Sequence, residues 1–256
     1  MILRARRDPE ALFTPTMAVL YLIRHGQASF GDAEYDRLSG IGERQARILG
    51  HHLQRGVHPV DAFCSGGMIR QERTAEIARE AMGDAPPPLS TEQAFAEYDH
   101  VALFEAYLPG FLASLEGEER PADLAELLTR PRLLERALRH VLRAWYEDQP
   151  HDGPPVERWP SFCKRVVAGV DGLLQRYGPK RRIALVTSGG PIAAIMRSVL
   201  GLSNKRVMGI NLSIYNASVT LIYCPGEGRL ADSLLLGYNN ITHLEMTGDR
   251  DLITFR

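Results

Sequence analysis

The sequence has few cysteines, and none of them are closely spaced. Cys64, Cys163 and Cys224 lie far apart, with no C-x-x-C pair among them. An odd number of thiols without a disulfide framework is typical of a reducing compartment, so we expect a cytoplasmic protein. The histidines also lack the spacing of metal ligands, and we therefore expect neither a metal nor another cofactor.

Long apolar runs and an excess of one charge are also missing. No apolar stretch approaches the roughly 18–20 residues that a membrane helix needs. The formal net charge is −1, so no overall basic field attracts nucleic acid. We expect neither a membrane nor a nucleic acid as partner. Residues 1–16 lack the apolar segment of a signal peptide, and we interpret them as a poorly ordered extension, with Met17 as an alternative start.

Short apolar runs alternate with helical patterns along the 256 residues. This alternation predicts an α/β fold, a three-layer α/β/α sandwich with a mostly parallel sheet. Residues 17–256 are predicted to form a single domain. The predicted strands cover residues 18–23, 60–65, 181–188, a hairpin within 212–224 that turns at Asn216-Ala217, and a last strand within 230–238.

A segment rich in Leu, Ala, Arg and Glu follows residue 100. Its helical spacing predicts an insertion, at about residues 101–155, that covers the carboxyl ends of the strands. The segment and its flank contain Phe104, Tyr107, Trp145 and Trp159. These aromatic side chains either shape the specificity of a site or belong to the core.

Two glycine-containing loops follow predicted strands, Arg24-His25-Gly26 and Ser188-Gly189-Gly190. Ligands of mostly parallel sheets bind beyond the carboxyl ends of the strands. The two loops can therefore share one pocket in spite of their distance in the sequence.

His25 and Arg24 form a pair suited to phosphoryl transfer. A neutral imidazole is a good nucleophile near neutral pH, since its reference pKa is about 6.5. The planar guanidinium of Arg24 suits phosphate oxygens, and Gly26 allows a close approach of backbone and ligand. Taken alone, the tripeptide is equally compatible with an ordinary core or surface histidine.

Arg70 and Glu97 are two further candidates. Arg70 begins a predicted helix after a Ser-Gly-Gly sequence, where backbone amides favour anions, although an exposed helix arginine is the better explanation when this residue is taken alone. Glu97 lies between apolar and aromatic neighbours that would raise its pKa and make it a general acid. Asp99 and Glu105 are rivals for that role, and a solvated carboxylate is the alternative.

The combination of these motifs resembles the histidine phosphatase superfamily, which includes phosphoglycerate mutases. The stretches that carry the resemblance are LYLIRHGQAS, LSGIGERQARILG, SGGMIRQERTAEIA and FAEYDH. The resemblance implies that His25 accepts the phosphoryl group, that Arg24 and Arg70 bind its oxygens, and that Glu97 protonates the leaving group and then activates water.

One position departs from the family pattern. Members of the family usually carry a second histidine in a Val-Ser-His-Gly-Gly segment, and Ser188 stands at that place. Ser188 and Gly189 are predicted to bind the phosphate of the substrate, with Ser188 as helix N-cap as the simpler alternative. A cation in place of the missing imidazolium could come from His100 or His243.

Three functions remain open at this stage. The first is a phosphatase that hydrolyses small phosphomonoesters through a phosphohistidine, with reduced activity because of Ser188. The second is a protein that binds a phosphorylated ligand without efficient turnover. The third, a phosphoglycerate mutase, is disfavoured because the altered pocket must retain and return the phosphoryl group.

Overall fold

The fold is described from a computed structural model. It describes residues 17–29, 36–56, 59–225 and 229–255. The predicted extension at residues 1–16 lies outside the described residues, and so does His58.

A central sheet of six strands organises this part of the chain. The order across the sheet is β3-β2-β4-β1-β5-β6. β1, β4, β2 and β3 run parallel, and β5 runs antiparallel to both β1 and β6. The strands are β1 (Ala18–Arg24), β2 (Ala62–Ser65), β3 (Leu89–Thr91), β4 (Arg182–Thr187), β5 (Val219–Cys224) and β6 (Leu234–Asn240).

Helices pack against both faces of this sheet, which confirms the predicted α/β fold with a mostly parallel sheet. α1 and α2 cover one face through a core that contains Ile23, Leu49 and Phe63. α6 and α7 cover the other face through a larger core. The helices are α1 (Gly40–Arg55), α2 (Ile69–Glu80), α3 (His100–Ala113), α4 (Leu124–Leu128), α5 (Pro131–Tyr146), α6 (Trp159–Tyr177), α7 (Gly189–Leu200), α8 (Asn204–Ser213) and α9 (Thr242–Glu245).

The segment that was predicted as a helical insertion contains α3, α4 and α5. α3 packs against α5. The rings of Trp145, Trp159 and Phe162 pack together, with centroids 5.0–5.7 Å apart. Both tryptophans are fully buried in the larger core, so they act as core residues.

The predicted hairpin around Asn216 and Ala217 is wrong. α8 ends at Ser213, and a turn at 216–217 leads from it into β5. Ala217 has a φ of 54°, and its backbone N–H donates to the carbonyl of His25 (3.2 Å). The alternating pattern misled because the end of a helix and a turn can mimic a short strand.

Two elements escaped the sequence prediction. β3 has three residues and lies at the sheet edge directly after a proline run, the one place in a sheet where such a sequence is tolerated. α8 is largely polar and has a weak apolar face, with Val207 as its one fully buried residue.

The parallel register brings four strand ends to the same edge of the sheet. Arg24 at the end of β1 pairs with Thr187 at the end of β4, and β2 and β3 end beside them. The loops that follow these strands therefore meet in one place. Among the described residues, no helix is long and apolar enough to cross a membrane.

His243 is a buried titratable group in α9, a short helix that packs against α1. It is 5% exposed, and its ring stacks on that of His52 with centroids 5.1 Å apart. Burial, helped by the neighbouring His52, lowers the pKa of His243 to about 4. The folded protein therefore resists protonation of this ring.

We expect His243 to make the protein sensitive to acid. An unfolded histidine binds a proton near pH 6.5, so stability is lost as pH falls from about 6.5 to about 4, by on the order of 3 kcal/mol for this group. His243→Gln should flatten the fall in unfolding free energy over this range, measured by urea denaturation. The exposed His51→Gln serves as control, and equal slopes in the two variants would contradict this account.

Candidate active site

His25 lies directly after β1, with its ring held from both sides. Its Nδ1 is 2.7 Å from the carbonyl oxygen of Gly26, and Arg70 Nε donates to its Nε2 (3.1 Å). A carbonyl only accepts and a guanidinium only donates. The proton of the neutral ring is therefore on Nδ1, and the lone pair is on Nε2.

The surroundings of His25 keep the ring neutral. The side chain is 6% exposed, and burial lowers its pKa well below the ordinary value, reinforced by the positive charges of Arg70 and Arg24. The hydrogen bond to Gly26 opposes this shift without reversing it. A neutral imidazole with a directed lone pair is the form that a nucleophile requires.

The loop that carries His25 is fixed by neighbours from three elements. Thr74 of α2 accepts a hydrogen bond from Gly26 N (3.0 Å). The side-chain amide of Asn216 donates to the carbonyl oxygen of His25 (3.2 Å). The backbone N–H of His25 donates to Thr187 at the end of β4 (2.8 Å). The position of the ring is thus set by the sheet, by α2 and by the turn before β5.

Arg70 lies in the first turn of α2 and is 5% exposed. Its NH1 forms an ion pair with Asp36 (2.5 Å), and the other oxygen of that carboxylate accepts from Ile69 N (2.9 Å). Asp36 therefore ties the guanidinium to the start of its own helix. This restraint leaves the Nε edge of Arg70 directed at His25.

Arg24 is held by two backbone carbonyls from distant parts of the chain. Its NH1 donates to Ile214 O and to Phe255 O. The C-terminal segment is thereby attached to the strand that precedes His25. Arg24 lies close enough to lower the pKa of His25.

Glu97 lies in the loop before α3, and its carboxylate contacts the start of α7. Its two carboxylate oxygens accept from Gly190 N (3.0 Å) and from Tyr98 N (3.2 Å). A Cβ atom on residue 190 would come within 2.1 Å of the Glu97 Oε1, so glycine is required there. Burial raises the pKa of Glu97, although these backbone bonds and the charge of Arg70 oppose the shift.

The two rivals of Glu97 have other surroundings. Asp99 caps α3 by accepting from Val101 N and Ala102 N (3.0 and 2.9 Å). Glu105 is exposed on the same helix. Both residues are exposed, whereas Glu97 is partly buried.

Ser188 precedes α7 at the N-cap position, but its side chain makes no capping bond. Its Oγ accepts a hydrogen bond from Gln71 Nε2 (2.8 Å). Gly189 is the first residue of α7, and it packs so closely on Asn211 that an added Cβ would lie 2.3 Å from the Asn211 Oδ1. The N–H of Gly190, the next residue of this loop, donates to the Glu97 carboxylate.

His100 and His243 do not supply the suggested cation. The pKa of His100 is lowered by partial burial and by the charge of Arg70, and that of His243 is lowered to about 4. Both rings are therefore neutral at pH 7. His243 stacks on His52 of α1 and not on a residue of the candidate site.

Sequence reasoning overlooked several polar residues that support the site, chiefly Gln71, Thr74 and Asp36. A signal was present for two of them. Arg70, Gln71 and Thr74 occur at helical spacing in a helix that also buries Ala75 and Ala78. Polar residues on the buried side of a helix indicate a hydrogen-bonded site. Asp36 carried no comparable pattern.

Within the described ranges, no group of three His, Cys, Asp or Glu side chains is arranged to hold a metal ion. The three cysteines are free and buried. What the arrangement does offer is a neutral imidazole, two guanidinium groups and a carboxyl group with a raised pKa. Groups of this kind can carry out acid–base catalysis and stabilise charge in phosphoryl transfer.

The sequence also matches a family model. The model of the histidine phosphatase superfamily (branch 1) matches residues 20–105 and 118–235. The chain therefore belongs to the histidine phosphatase superfamily, as the resemblance of its motifs predicts.

Individual relatives within this family differ in activity. A 2,3-bisphosphoglycerate-dependent phosphoglycerate mutase of Methylobacterium radiotolerans is 24% identical over 212 residues, which cover 80% of this chain and 88% of the relative. Among solved structures, YhfR of Bacillus stearothermophilus has a TM-score of 0.62 at 20% identity, with 89% of this chain and 99% of that one covered. A mycobacterial glucosyl-3-phosphoglycerate phosphatase has a TM-score of 0.59 at 20% identity, with 88% and 100% covered. The structural similarities establish the shared fold.

The close contact between α1 and the His25 loop gives a direct test of this geometry. An added Cβ at Gly42 would lie 2.2 Å from the backbone oxygen of Gln27, whereas one at Gly40 meets nothing within 4 Å. Gly42→Ala should push the loop away and cost about 1–3 kcal/mol of unfolding free energy. Gly40→Ala, in the same helical turn, should be neutral or stabilise by up to about 1 kcal/mol.

Urea denaturation measures both variants, and phosphatase assays report the displacement of His25. A Gly42→Ala protein as stable and as active as Gly40→Ala would show that the loop does not pack on α1 as described.

Proposed function

We propose that the protein is a phosphatase that hydrolyses small phosphomonoesters through a phosphohistidine at His25. The observation that carries this proposal is the tautomer and the orientation of the His25 ring. Its Nδ1 carries the proton and donates to the carbonyl oxygen of Gly26, and its Nε2 faces Arg70. An anionic tetrahedral group drawn to Arg70 comes into reach of that nitrogen.

The first step transfers the phosphoryl group to the enzyme. The lone pair of His25 Nε2 forms a bond to phosphorus, and the phosphorus–oxygen bond to the leaving group breaks. Protonated Glu97 donates its proton to the leaving alkoxide, which departs as an alcohol. The raised pKa of Glu97 supports this role.

The second step hydrolyses the intermediate. The Glu97 carboxylate accepts a proton from water, the hydroxide equivalent attacks phosphorus, and the bond to Nε2 breaks. Inorganic phosphate and neutral His25 result, and Glu97 is again protonated. Arg24 and Arg70 stabilise the charge on the phosphoryl oxygens in both steps, and Gly189 at the N-terminus of α7 is a further donor.

Arg70 must exchange one partner for another during this cycle. Its Nε donates to the lone pair of His25 Nε2. Phosphate oxygens compete for the same donor, and a charge-assisted bond to a dianion is stronger than one to a neutral ring. Substrate binding therefore frees the nucleophile at the moment at which it is needed.

The presence of Ser188 supports the proposal that the phosphatase activity is low. Where family members carry an imidazolium, this chain places a buried neutral hydroxyl. The loss of one transition-state donor costs roughly 3–4 kcal/mol, or a factor of about 10²–10³ in rate. The same residue favours the second candidate function, a protein that binds a phosphorylated ligand with little turnover. A mutase, the activity of the relative from Methylobacterium radiotolerans, requires efficient return of the phosphoryl group and is less well supported.

We also propose that the substrate is a small phosphorylated metabolite rather than a nucleic acid or a membrane lipid, and that the protein acts in the cytoplasm. The near-neutral net charge and the three free, buried cysteines support this assignment.

Replacement of His25 tests the proposal directly. Wild-type protein should hydrolyse p-nitrophenyl phosphate slowly, and His25→Ala and His25→Asn should show no turnover above buffer, while the exposed His51→Ala retains the wild-type rate. Acid-labile phosphate should be trapped on the wild-type protein and not on His25→Ala or His25→Asn. Equal background rates in wild type and His25→Ala, with phosphate still bound, would favour the binding protein.

The pH dependence tests the role of Glu97. A general acid with a raised pKa loses its proton as pH rises, so the wild-type kcat/KM for an alkyl phosphate should fall on the alkaline side. The pKa of His25 lies well below 6.5, so protonation of the nucleophile limits activity only at more acidic pH. In Glu97→Gln the alkaline fall should disappear.

The same variant should discriminate between leaving groups. The informative quantity is kcat/KM, because it reports the transfer of the phosphoryl group to His25 and not the later hydrolysis of the intermediate. Glu97→Gln should lower kcat/KM for an alkyl phosphate by about 10²-fold or more, and that for p-nitrophenyl phosphate much less, because nitrophenolate leaves without a proton. Asp99→Asn, in which the new side chain can still cap α3, is the control. An equal loss of kcat/KM for both substrates in Glu97→Gln would exclude Glu97 as the acid.

A further inference from the structure

Gln71 is a buried polar residue that lies beside Arg70 in the first turn of α2. Its side chain is fully buried. Its Nε2 donates to Ser188 Oγ (2.8 Å) and lies 3.4 Å from the carbonyl oxygen of Phe95, and its Oε1 accepts from Met68 N (3.3 Å). Because a carbonyl can only accept and a backbone N–H can only donate, the carboxamide cannot be turned around without losing both bonds.

This orientation determines how the hydroxyl of Ser188 is used. The Oγ receives its hydrogen bond from Gln71, so the proton of Ser188 is left to donate to another group. The side chain makes no capping bond to α7. A hydroxyl that accepts from a fixed donor has a restricted direction for its own proton.

Ser188 is adjacent to the nucleophile. Arg24 and Thr187 are paired across β1 and β4, and His25 N donates to Thr187 O (2.8 Å). His25 and Ser188 are each one residue beyond this pair. The two side chains also contact consecutive residues of α2, since Arg70 donates to the His25 ring and Gln71 donates to the Ser188 hydroxyl.

We propose that Gln71 is a positioning residue of the phosphoryl site. It holds Ser188 so that the hydroxyl donates to a phosphoryl oxygen bound at His25, and its carboxamide fills the space beside residue 188. The site is thus built around a neutral amide–hydroxyl pair. This inference rests on the proposed function, because it assigns a donor for the same phosphoryl group.

The first experiment replaces Gln71 by residues of similar size. In Gln71→Glu an ionised carboxylate would accept the proton of Ser188, and in Gln71→Met the hydroxyl would lose its partner. Both should weaken orthophosphate binding by about tenfold, the value of one hydrogen bond, as measured by calorimetry. Gln54→Met, on the exposed side of α1, should leave the affinity unchanged.

Double variants test the coupling between the two residues. Ser188→Ala should lose about as much affinity and kcat/KM as Gln71→Met, and the double variant should lose no more than Ser188→Ala alone. If Gln71→Met and Gln71→Glu lower the melting temperature but leave phosphate affinity and kcat/KM unchanged, Gln71 is a packing residue and the proposal is wrong.

A gain-of-function pair tests the space that Gln71 fills. An imidazole at position 188 is longer than a hydroxymethyl group and would meet a carboxamide that now lies 2.8 Å from the Ser188 Oγ. Ser188→His alone should therefore gain no activity on p-nitrophenyl phosphate, whereas Gln71→Ala/Ser188→His should gain tenfold or more. An equal gain in both would overturn the proposal.

These tests separate the two proposals. If the wild-type protein shows no turnover that depends on His25, the proposed phosphatase function is refuted. The positioning role of Gln71 is tested by the affinity for orthophosphate, which requires no turnover. Unchanged affinity in Gln71→Glu refutes that role whether or not the protein is a phosphatase.

Discussion

The hydrogen bond from Arg70 Nε to His25 Nε2 is the contact on which the site depends. It joins the loop after β1 to the first turn of α2, the helix that follows β2, although β4 separates these two strands in the sheet. Together with the carbonyl of Gly26, it selects the ring nitrogen that carries the proton and the one that carries the lone pair. Burial lowers the pKa of His25 and the charge of Arg70 adds to this shift, so the guanidinium directs the imidazole and reinforces its neutral state.

The rest of the fold keeps the side chains of His25 and Arg70 in contact. Buried strands bring the loops to one edge of the sheet, and close glycine contacts let α1 and α7 approach the backbone and the Glu97 carboxylate. Asp36 restrains the far end of the Arg70 side chain. Polar groups with such buried partners are costly to disturb, which confines the residues near His25 to one arrangement.

The main residues of this site could be predicted because each follows a recognisable local pattern. His25 and Ser188 come directly after continuous apolar strands, Arg70 begins a helix, and Glu97 has apolar neighbours. Gln71, Asp36 and the turn at Asn216 could not be assigned in the same way. Their partners are Ser188, Arg70 and the carbonyl of His25, which are 34 to 191 residues away, and such contacts exist only once the sheet is assembled. The same reason explains the false hairpin, since the amides of residues 216–217 bond to the His25 loop and not to a neighbouring strand.

A crystal structure with bound vanadate tests the central claim most directly, since vanadate adopts the geometry of a phosphoryl group in transfer. We expect vanadium at His25 Nε2, Nδ1 still bonded to Gly26, and Arg70 turned from the ring to the vanadate oxygens. Vanadate bound away from His25, or at the site with Arg70 still bonded to Nε2, would contradict the account.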